Sequence, residues 1–455
     1  MTVPPVLELT DEEEEAKYYF TTLFAAFGKP CDAGTPADLQ THLPSWFDED
    51  KFKLGQKFYQ DNRFGILQAN LCSLLVLLAD PKGLRILEHT GKSSTTETAR
   101  KRYVSTFMHM SDWYECELEP GSRSWKSLSQ VRRMHLSASN SAKKRSLGFI
   151  NQPEMALTTF GFMGFPLIRP HLLGIRYDNR EAREGFVHFW AVIGYMLGVE
   201  DEHNMCLHRL EVVEMICHTV MRYVFVPSLQ LETPLLRHMI GAIVDAFTPY
   251  MPFLSYESLM FLTRRLVGIP GYQYSVDMKK EFICRPILTE EDLKKVTDYM
   301  EPRDGYRQVM AMYRAIFSDK LRIYTIKELP DEINQNYLGT AVAGTNGTYT
   351  KLAVEDNDNP EQPQQQQRLN DAELQLNDLL GLKPNQQLII TEVADEHEWS
   401  TYMNDSRLKQ LSARDQTNVR VTARTLNLSY STIGRFANEA TLSFILYRIR
   451  RLQAK

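Results

Sequence analysis

The sequence lacks the features that would assign it at once to several large protein classes. Its 455 residues contain no uncharged apolar run of the ~18 residues that mark a membrane span. The N-terminus is acidic and has neither the basic region nor the apolar core of a secretory signal. A net charge of −5 gives no reason to expect a nucleic-acid partner. We therefore expect a cytoplasmic protein that is not secreted and is at most peripheral on an endomembrane.

Motifs for two common kinds of chemistry are also missing. The chain has no G-x-S-x-G, no P-loop and no G-x-G-x-x-G, so nothing supports a nucleophilic hydrolase or a nucleotide-binding protein. None of its 6 cysteines forms a C-x-x-C pair, and several lie in apolar context, as in Leu71-Cys72-Ser73-Leu74. This pattern predicts buried, reduced thiols in a reducing compartment.

Composition divides the chain into four regions. Residues 1–36 form an acidic N-terminal segment, whose first 17 residues we expect to be mobile. Residues 37–338 are dense in apolar residues and should form the main helical domain. Residues 339–370 contain the run EDNDNPEQPQQQQ and predict a disordered linker, because they have little apolar surface to bury. Residues 371–455 form a small C-terminal extension with a short strand at Gln387 and an amphipathic helix from Leu442. This helix would either dock on the body of the protein, which we favour, or lie on a membrane surface.

Apolar residues recur at helical spacing through most of the second region. One stripe contains Phe186, Trp190, Ile193 and Leu197, and proline and glycine fall mainly between such segments. The fold class predicted is therefore an almost all-α helical bundle.

A histidine lies on the apolar face of one predicted helix. Leu128, Val131, His135 and Ala138 are three or four residues apart, so His135 should point towards the core. It is either a core histidine bonded to a carbonyl or a metal ligand. Arg132, one turn earlier, needs a fixed anion if it is buried, and both an acidic side chain and a haem propionate qualify.

The preceding predicted helix, from Thr98 to Trp113, carries an unusually polar face. Arg102, Thr106, His109 and Trp113 share that face. The face is either solvated or lines a polar cavity opposite His135. A Pro-Gly loop separates the two helices and allows them to pack antiparallel.

Five segments, in order, resemble a known family. They are FKLGQKFYQDNRFGI (52–66), ARKRYVSTFMHM (99–110), VRRMH (131–135), NQPEMALTTFGFMGF (151–165) and FWAVIGYMLGVEDE (189–202). In this order they resemble the haem-dependent oxygenases that include latex-clearing rubber oxygenases and the fungal MpaB-type enzyme of mycophenolic acid biosynthesis. The likeness spans roughly residues 45–330 and does not reach the last ~120 residues.

The resemblance implies a fold, a cofactor and site residues. The fold would be a helical bundle with a globin-like core that holds haem b. The R-x-x-H element places the iron ligand at His135 with Arg132 beside it, and R-x-x-x-T places Arg102 and Thr106 on the open face of the iron. The partners implied are O2 and a lipophilic, prenyl-like substrate that is cleaved or oxygenated at a C=C bond.

Some positions depart from the family pattern. Ser105 replaces a lysine that can cap the iron in rubber oxygenases, and Ser139 replaces an arginine found in some relatives. Glu88 is the nearest match to a proposed distal base, but its spacing is loose and we assign it no role. Apolar stretches such as FGFMGF would either shape a substrate channel or belong to the core, and the core is the commoner use of such stripes.

Two other functions remain open from the sequence. Glu200, His203, Cys206 and His208 lie close together and could form a non-haem metal site, although their spacing matches no regular zinc or di-iron motif. Alternatively, the chain could be a catalytically inactive haem- or lipid-binding helical protein with an interaction role.

Overall fold

The fold is known from a computed structural model. The residues described are 9–32, 42–268 except 231 and 252, 272, 287–288, 291–292, 321–325, 387–391, 406–430, 438 and 442–443. The predicted linker 339–370 and the part of the C-terminal helix beyond residue 443 lie outside this set. The described residues are almost entirely helical, which confirms the predicted all-α class, while the globin-like arrangement stays a prediction.

The helices of the main body follow one another with short connections. They are α1 (Asp11–Ala25), α2 (Glu49–Leu78), α3 (Pro81–His89), α4 (Thr96–Glu115), α5 (Arg123–Lys144), α6 (Gln152–Ile168), α7 (Arg180–Leu197), α8 (Leu210–Val220), α9 (Val226–Gln230), α10 (Pro234–Phe247) and α11 (Tyr256–Val267). Short 3-10 turns lie at Pro170–Leu172, Asp201–His203 and Met205–Leu207, and a π-helical turn at Met221–Phe225 joins α8 to α9.

Most of these helices begin at a polar side chain that caps the first turn. Asp48, Ser122 and Asn179 each accept a hydrogen bond from a backbone N–H three residues later. Thr95 and Asn151 form reciprocal capping boxes. Such caps satisfy amide groups that the helix itself leaves unpaired, and each is worth about 1 kcal/mol.

The 30-residue helix α2 is the centre of the bundle and packs mainly against α7 and α6. Gly55 and Gly185 allow the closest approach, since a Cβ on Gly55 would lie 2.4 Å from the Gly185 carbonyl oxygen. Asn62 interrupts the regular helix at φ −130°, and its Oδ1 accepts a hydrogen bond from the Arg176 backbone at 2.8 Å. The predicted stripe of α7 is confirmed, with Phe186, Trp190 and Ile193 buried.

The N-terminal segment differs from the prediction of a mobile acidic tail. Residues from Asp11 onwards form α1, which starts with a capping box between Thr10 and Glu13 and packs against α8. Tyr19, Phe20, Leu23 and Phe24 are buried. The acidic first turn suits the positive end of the helix dipole, and the apolar face follows directly after it. The acidic residues therefore start a core helix.

A strand and a helix of the C-terminal extension contact residues of the preceding region 37–338. Strands β1 (Leu321–Thr325) and β2 (Gln387–Thr391) pair in parallel, which confirms the strand predicted at Gln387. After α12 (Ser406–Lys409), helix α13 (Ala413–Leu428) packs on α11. Asp415 Oδ1 accepts a hydrogen bond from Ser255 at 2.6 Å, so the described end of the extension contacts the main helical domain directly.

No single helix in the described part of the chain is long and apolar enough to cross a membrane. One bent pair, Glu49–Leu78 with Gly83–His89, meets the length and composition test when taken together.

Candidate functional site

His135 lies on α5, whose apolar face carries Leu128 and Val131 into the core. The His135 ring is partly exposed, but its Nδ1 is buried and has no hydrogen-bond partner among the described residues. A core histidine would normally be satisfied by a carbonyl or carboxylate, and a metal-bound one would pass its second N–H to such a group. Among the described residues neither kind of partner is present for Nδ1.

The electrostatic surroundings of His135 favour a neutral ring. Burial and, to a smaller extent, the nearby positive charge of Arg102 on α4 together lower its pKa from 6.5 to about 4. A neutral imidazole has a lone pair available for a metal at physiological pH. At neutral pH the ring is therefore unprotonated and can donate a nitrogen lone pair to a metal.

Arg102 is a partly buried cation with little to neutralise it. Its Nη1 donates to Thr90 Oγ1 at 3.3 Å, and no carboxylate in the described part of the chain forms an ion pair with it. Burial lowers the pKa of the guanidinium. A buried charge without a counter-ion is costly, so this position suits an anionic group from a ligand.

The C-terminal part of the polar face of α4 packs against α5, while Arg102, Thr106 and His109 are partly exposed. His109 Nδ1 and Trp113 Nε1 both contact Ser127 Oγ, at 2.8 and 2.9 Å. The two helices are antiparallel, as the loop predicted. Thr106 is partly exposed, and its hydroxyl donates to the Arg102 carbonyl at 3.1 Å. Its hydrogen is thus already used within the helix, while its oxygen can still accept.

Arg132 has a protein partner. It is 1% exposed and forms a buried ion pair with Asp32, while its Nη1 lies 3.5 Å from the Met196 carbonyl oxygen. Of the two anions that the sequence left open, the structure supplies the acidic side chain. Arg132 therefore ties α5 to α7 and the N-terminal segment, and the geometry gives no support to its predicted contact with a cofactor.

The residues of the alternative metal site come together only in part. Glu200, Glu202 and His203 place one ligand atom each within 4.8 Å of one another. His208 instead contacts Glu15 Oε1 at 2.6 Å, and Cys206 is buried, which raises the pKa of its thiol. Among the described cysteines, Cys31, Cys72, Cys206 and Cys217 are buried and Cys116 is partly exposed, and all are free, as predicted.

Two further expectations concern the surroundings of the site. Glu88 is exposed on α3, which agrees with giving it no role. The stretch FGFMGF belongs to the core: Phe160, Met163 and Phe165 are fully buried, and Phe162 stacks on Trp190 with ring centroids 4.9 Å apart. These side chains are part of the packed core, so they do not line a substrate channel.

Sequence reasoning missed Asp32 and Thr90, the partners of Arg132 and Arg102. Both lie far along the chain or beyond a helix end, where periodicity gives no signal. Asp32 is 100 residues from Arg132. A rule that every buried arginine needs a partner predicted that an anion exists but could not say which one.

Comparison with known proteins shows which family this part of the chain is similar to. Residues 56–264 match the family described as ER-bound oxygenase mpaB/B'/Rubber oxygenase, catalytic domain. The solved structure of the latex clearing protein LCP in the closed state is similar at a TM-score of 0.42 and 17% identity, over 65% of this chain and 92% of that chain. No curated protein matches. His135, Arg102 and Thr106 all fall inside the matched residues. Residues 56–264 therefore resemble the catalytic domain of the mpaB and rubber oxygenases, and this match supports an oxygenase, which is an oxidoreductase.

Proposed function

We propose that the chain is a haem b-dependent oxygenase in which His135 is the protein ligand to the iron. The observation that carries the proposal is the unpaired, neutral imidazole of His135 beside the uncompensated charge of Arg102. A haem offers a partner to each of these two residues. Its iron accepts the nitrogen lone pair of His135, and its propionates are anions that can pair with Arg102. The described residues at this site therefore fit the group that the family implies.

The roles of the side chains follow from their environments. His135 binds through its neutral ring, and its position on α5 sets the direction from which it approaches the iron. Arg102 offers a fixed positive charge, either to a carboxylate of the cofactor or to negative charge that develops on oxygen. Thr106 offers an acceptor oxygen one turn further along α4. Haem b, when bound, supplies the activation of O2.

The substrate class in this proposal is a lipophilic molecule with a C=C bond, such as a prenyl chain. It rests on the description of the matching family, which names a rubber oxygenase. The same description names an ER-bound oxygenase, which supports a peripheral location on an endomembrane as part of the proposal. Cell fractionation followed by an alkaline carbonate wash tests the location: peripheral protein leaves the membrane pellet, and protein that stays in the pellet contradicts it.

The test of the haem site is reconstitution of purified protein with haem b. We expect one haem per chain and a Soret band in the wild type, and loss of both in His135→Ala. External imidazole should restore the band in that variant, because it replaces the missing ring. His89→Ala is the matched control: His89 lies at the end of α3 and contacts Ser141 on α5 at 3.2 Å.

The outcomes separate the competing functions. A His135→Ala variant with wild-type haem content and spectrum contradicts the assignment, and loss of haem in His89→Ala alone moves it to α3. Wild-type protein that binds iron without a Soret band would favour the non-haem site. Protein that binds haem but consumes no O2 with any prenyl oligomer would favour the inactive binding protein.

A further inference from the structure

A second cluster of ligand atoms lies at the end of α7, in the turn Asp201–His203 and the residue before it. His203 Nε2 is 3.6 Å from Glu200 Oε2 and 3.1 Å from Glu202 Oε1. All three ligand atoms lie within 4.8 Å of one another. One nitrogen and two carboxylate oxygens at such separations can share a single metal ion.

The histidine of this cluster has an unusual environment. Its side chain is 1% exposed, and neither ring nitrogen forms a hydrogen bond with any described residue. The Nε2–Glu202 contact is short, yet it does not have the direction of an N–H···O bond. Buried imidazoles are nearly always hydrogen-bonded. Here the imidazole has no hydrogen bond to a described residue, yet its Nε2 lies beside two carboxylates. This is the arrangement of three ligands around a metal ion.

The backbone around the cluster is fixed from three sides. Gln152, at the start of α6, accepts a hydrogen bond from the Glu200 N–H at 3.0 Å through its side chain. Tyr19 of α1 donates to the His203 carbonyl at 2.7 Å, and Asn204 donates to the Ala191 carbonyl at 2.8 Å. The ligands therefore sit on a rigid turn, which lowers the entropy lost when they bind an ion.

Lys29 is the cation now in contact with the cluster. Its Nζ lies 3.2 Å from Glu200 Oε2 and also bonds Glu202. The lysine side chain is 43% exposed and has a flexible stem, so it can swing into solvent. Gln152 holds the lysine's backbone as well, since its own N–H donates to the Lys29 carbonyl at 3.0 Å. Lysine and metal would compete for the same two carboxylates.

We propose that Glu200, Glu202 and His203 bind a divalent transition-metal ion of the zinc class, which displaces the Lys29 ammonium. Zinc binds histidine nitrogen and carboxylate oxygen, and three protein ligands leave a fourth tetrahedral position for water. Mg²⁺ and Ca²⁺ prefer all-oxygen sites, so the histidine selects against them. The site uses no residue of the proposed haem site.

Zinc titration of tag-free, chelator-treated full-length protein tests the site by calorimetry. We expect one zinc per chain above any weak background. Glu202→Gln should weaken binding by more than ~10-fold, because loss of even an outer hydrogen-bond partner of a metal ligand costs that much. Lys29→Met should tighten binding, because the competing cation is gone. His208→Gln, a histidine of the same segment bonded to Glu15, should leave the affinity unchanged.

Misfolding of Glu202→Gln should not account for a loss of zinc affinity, because Glu202 is 54% exposed and its exchange to glutamine should leave the fold intact. Zinc should also raise the melting temperature of the wild type and not that of Glu202→Gln, since only a specific ligand of the folded state shifts it. Equal affinity in wild type, Glu202→Gln and Lys29→Met overturns the proposal. So does a loss of affinity caused by His208→Gln alone.

Discussion

Arg102 of α4 lies close enough to His135 of α5 for its positive charge to add to burial in lowering the pKa of His135 to about 4. Neither residue has a carboxylate partner in the described part of the chain. Protonation of His135 would therefore place two cations together in a partly buried site. The helix pair α4–α5 keeps the imidazole neutral by electrostatic repulsion as well as by desolvation.

The first prediction concerns the stability of the haem-free protein at low pH. The folded pKa of His135, about 4, lies below its ordinary value of 6.5, so between these values the unfolded chain binds the proton more readily. Stability should thus fall as pH falls from 6.5 to 4. His135→Gln should remove up to about 3 kcal/mol of this dependence. Urea unfolding across that range measures it.

Arg102→Met separates the two causes. This change removes the positive charge of Arg102 and leaves His135 buried. The pH dependence of its free energy of unfolding should therefore lie between those of the wild type and His135→Gln, closer to the wild type. If Arg102→Met removes as much of the dependence as His135→Gln, the repulsion rather than burial is the main cause. If neither variant changes it, the described environment of His135 is wrong.

The second prediction distinguishes the roles of Arg102 and Thr106 in the proposed enzyme. If Arg102 stabilises charge at the reacting oxygen, Arg102→Met should keep its haem and lose ~2–4 kcal/mol of transition-state stabilisation, by analogy with other preorganised donors. Thr106→Val should lose less, because the threonine hydroxyl already donates to the Arg102 carbonyl. Haem content, O2 consumption and the autoxidation rate of the ferrous protein are the measurements.

The comparison of the two variants decides the outcome. Loss of haem from Arg102→Met shows that the guanidinium anchors a propionate instead. Wild-type haem content and turnover in both variants would contradict any role of this face of α4. A larger defect in Thr106→Val than in Arg102→Met would reverse the assignment.

The third prediction concerns the buried pair of Arg132 and Asp32. Asp32→Asn should cost about 3–5 kcal/mol of unfolding free energy, because it leaves the guanidinium buried without its counter-ion. Asp32→Asn with Arg132→Met should recover part of that loss. Chemical denaturation measures both. The exposed pair of Lys53 and Glu49 on α2 is the control, and Glu49→Gln should cause no measurable change.

A small effect of Asp32→Asn would mean that water or another group replaces the carboxylate. The variant also tests whether Arg132 positions its neighbour. Since Arg132 lies one turn before His135, we expect Asp32→Asn to weaken haem retention more than a surface variant of equal stability does.

Local periodicity carries most of what the sequence predicts here. A spacing of three and four residues predicts helices α4, α5 and α7. The same spacing places Arg102 and Thr106 on one face of α4, and His135 and Val131 on one face of α5. These are relations within one helix, where backbone geometry fixes which side chains are neighbours. Antiparallel packing of α4 and α5 also follows, because the loop between them is short.

Relations between distant segments are where the sequence fails. The sequence around Asp32 gives no sign that this aspartate is buried. The acidic start of α1 has the composition of a mobile tail. The stripe around Phe160 would look the same in a channel wall as in a core. In each case the outcome depends on which surfaces meet, and that is settled by packing of the whole bundle.

The fourth prediction tests the docking of α13 on the catalytic domain. Gly174 has φ +64°, and a Cβ there would lie 2.0 Å from the Leu426 carbonyl oxygen of α13. Gly91 has nearly the same φ, +66°, but a Cβ there would meet nothing within 4 Å. Both Gly→Ala changes incur the cost of a left-handed residue, about 1–2 kcal/mol. Only Gly174→Ala also forces two backbones apart.

We therefore expect Gly174→Ala to lower the melting temperature more than Gly91→Ala does. It should also expose the arginines of α13, Arg414, Arg420 and Arg424, to trypsin, because loss of close contact frees the helix from α11. The hydrogen bonds of Ser255 with Asp415 and of Tyr430 with the His171 carbonyl, 3.2 Å, would be lost together with it. Equal melting temperatures and equal trypsin cleavage in the two variants would show that α13 does not dock where Gly174 meets Leu426. In that event the C-terminal extension would fold independently of the oxygenase domain.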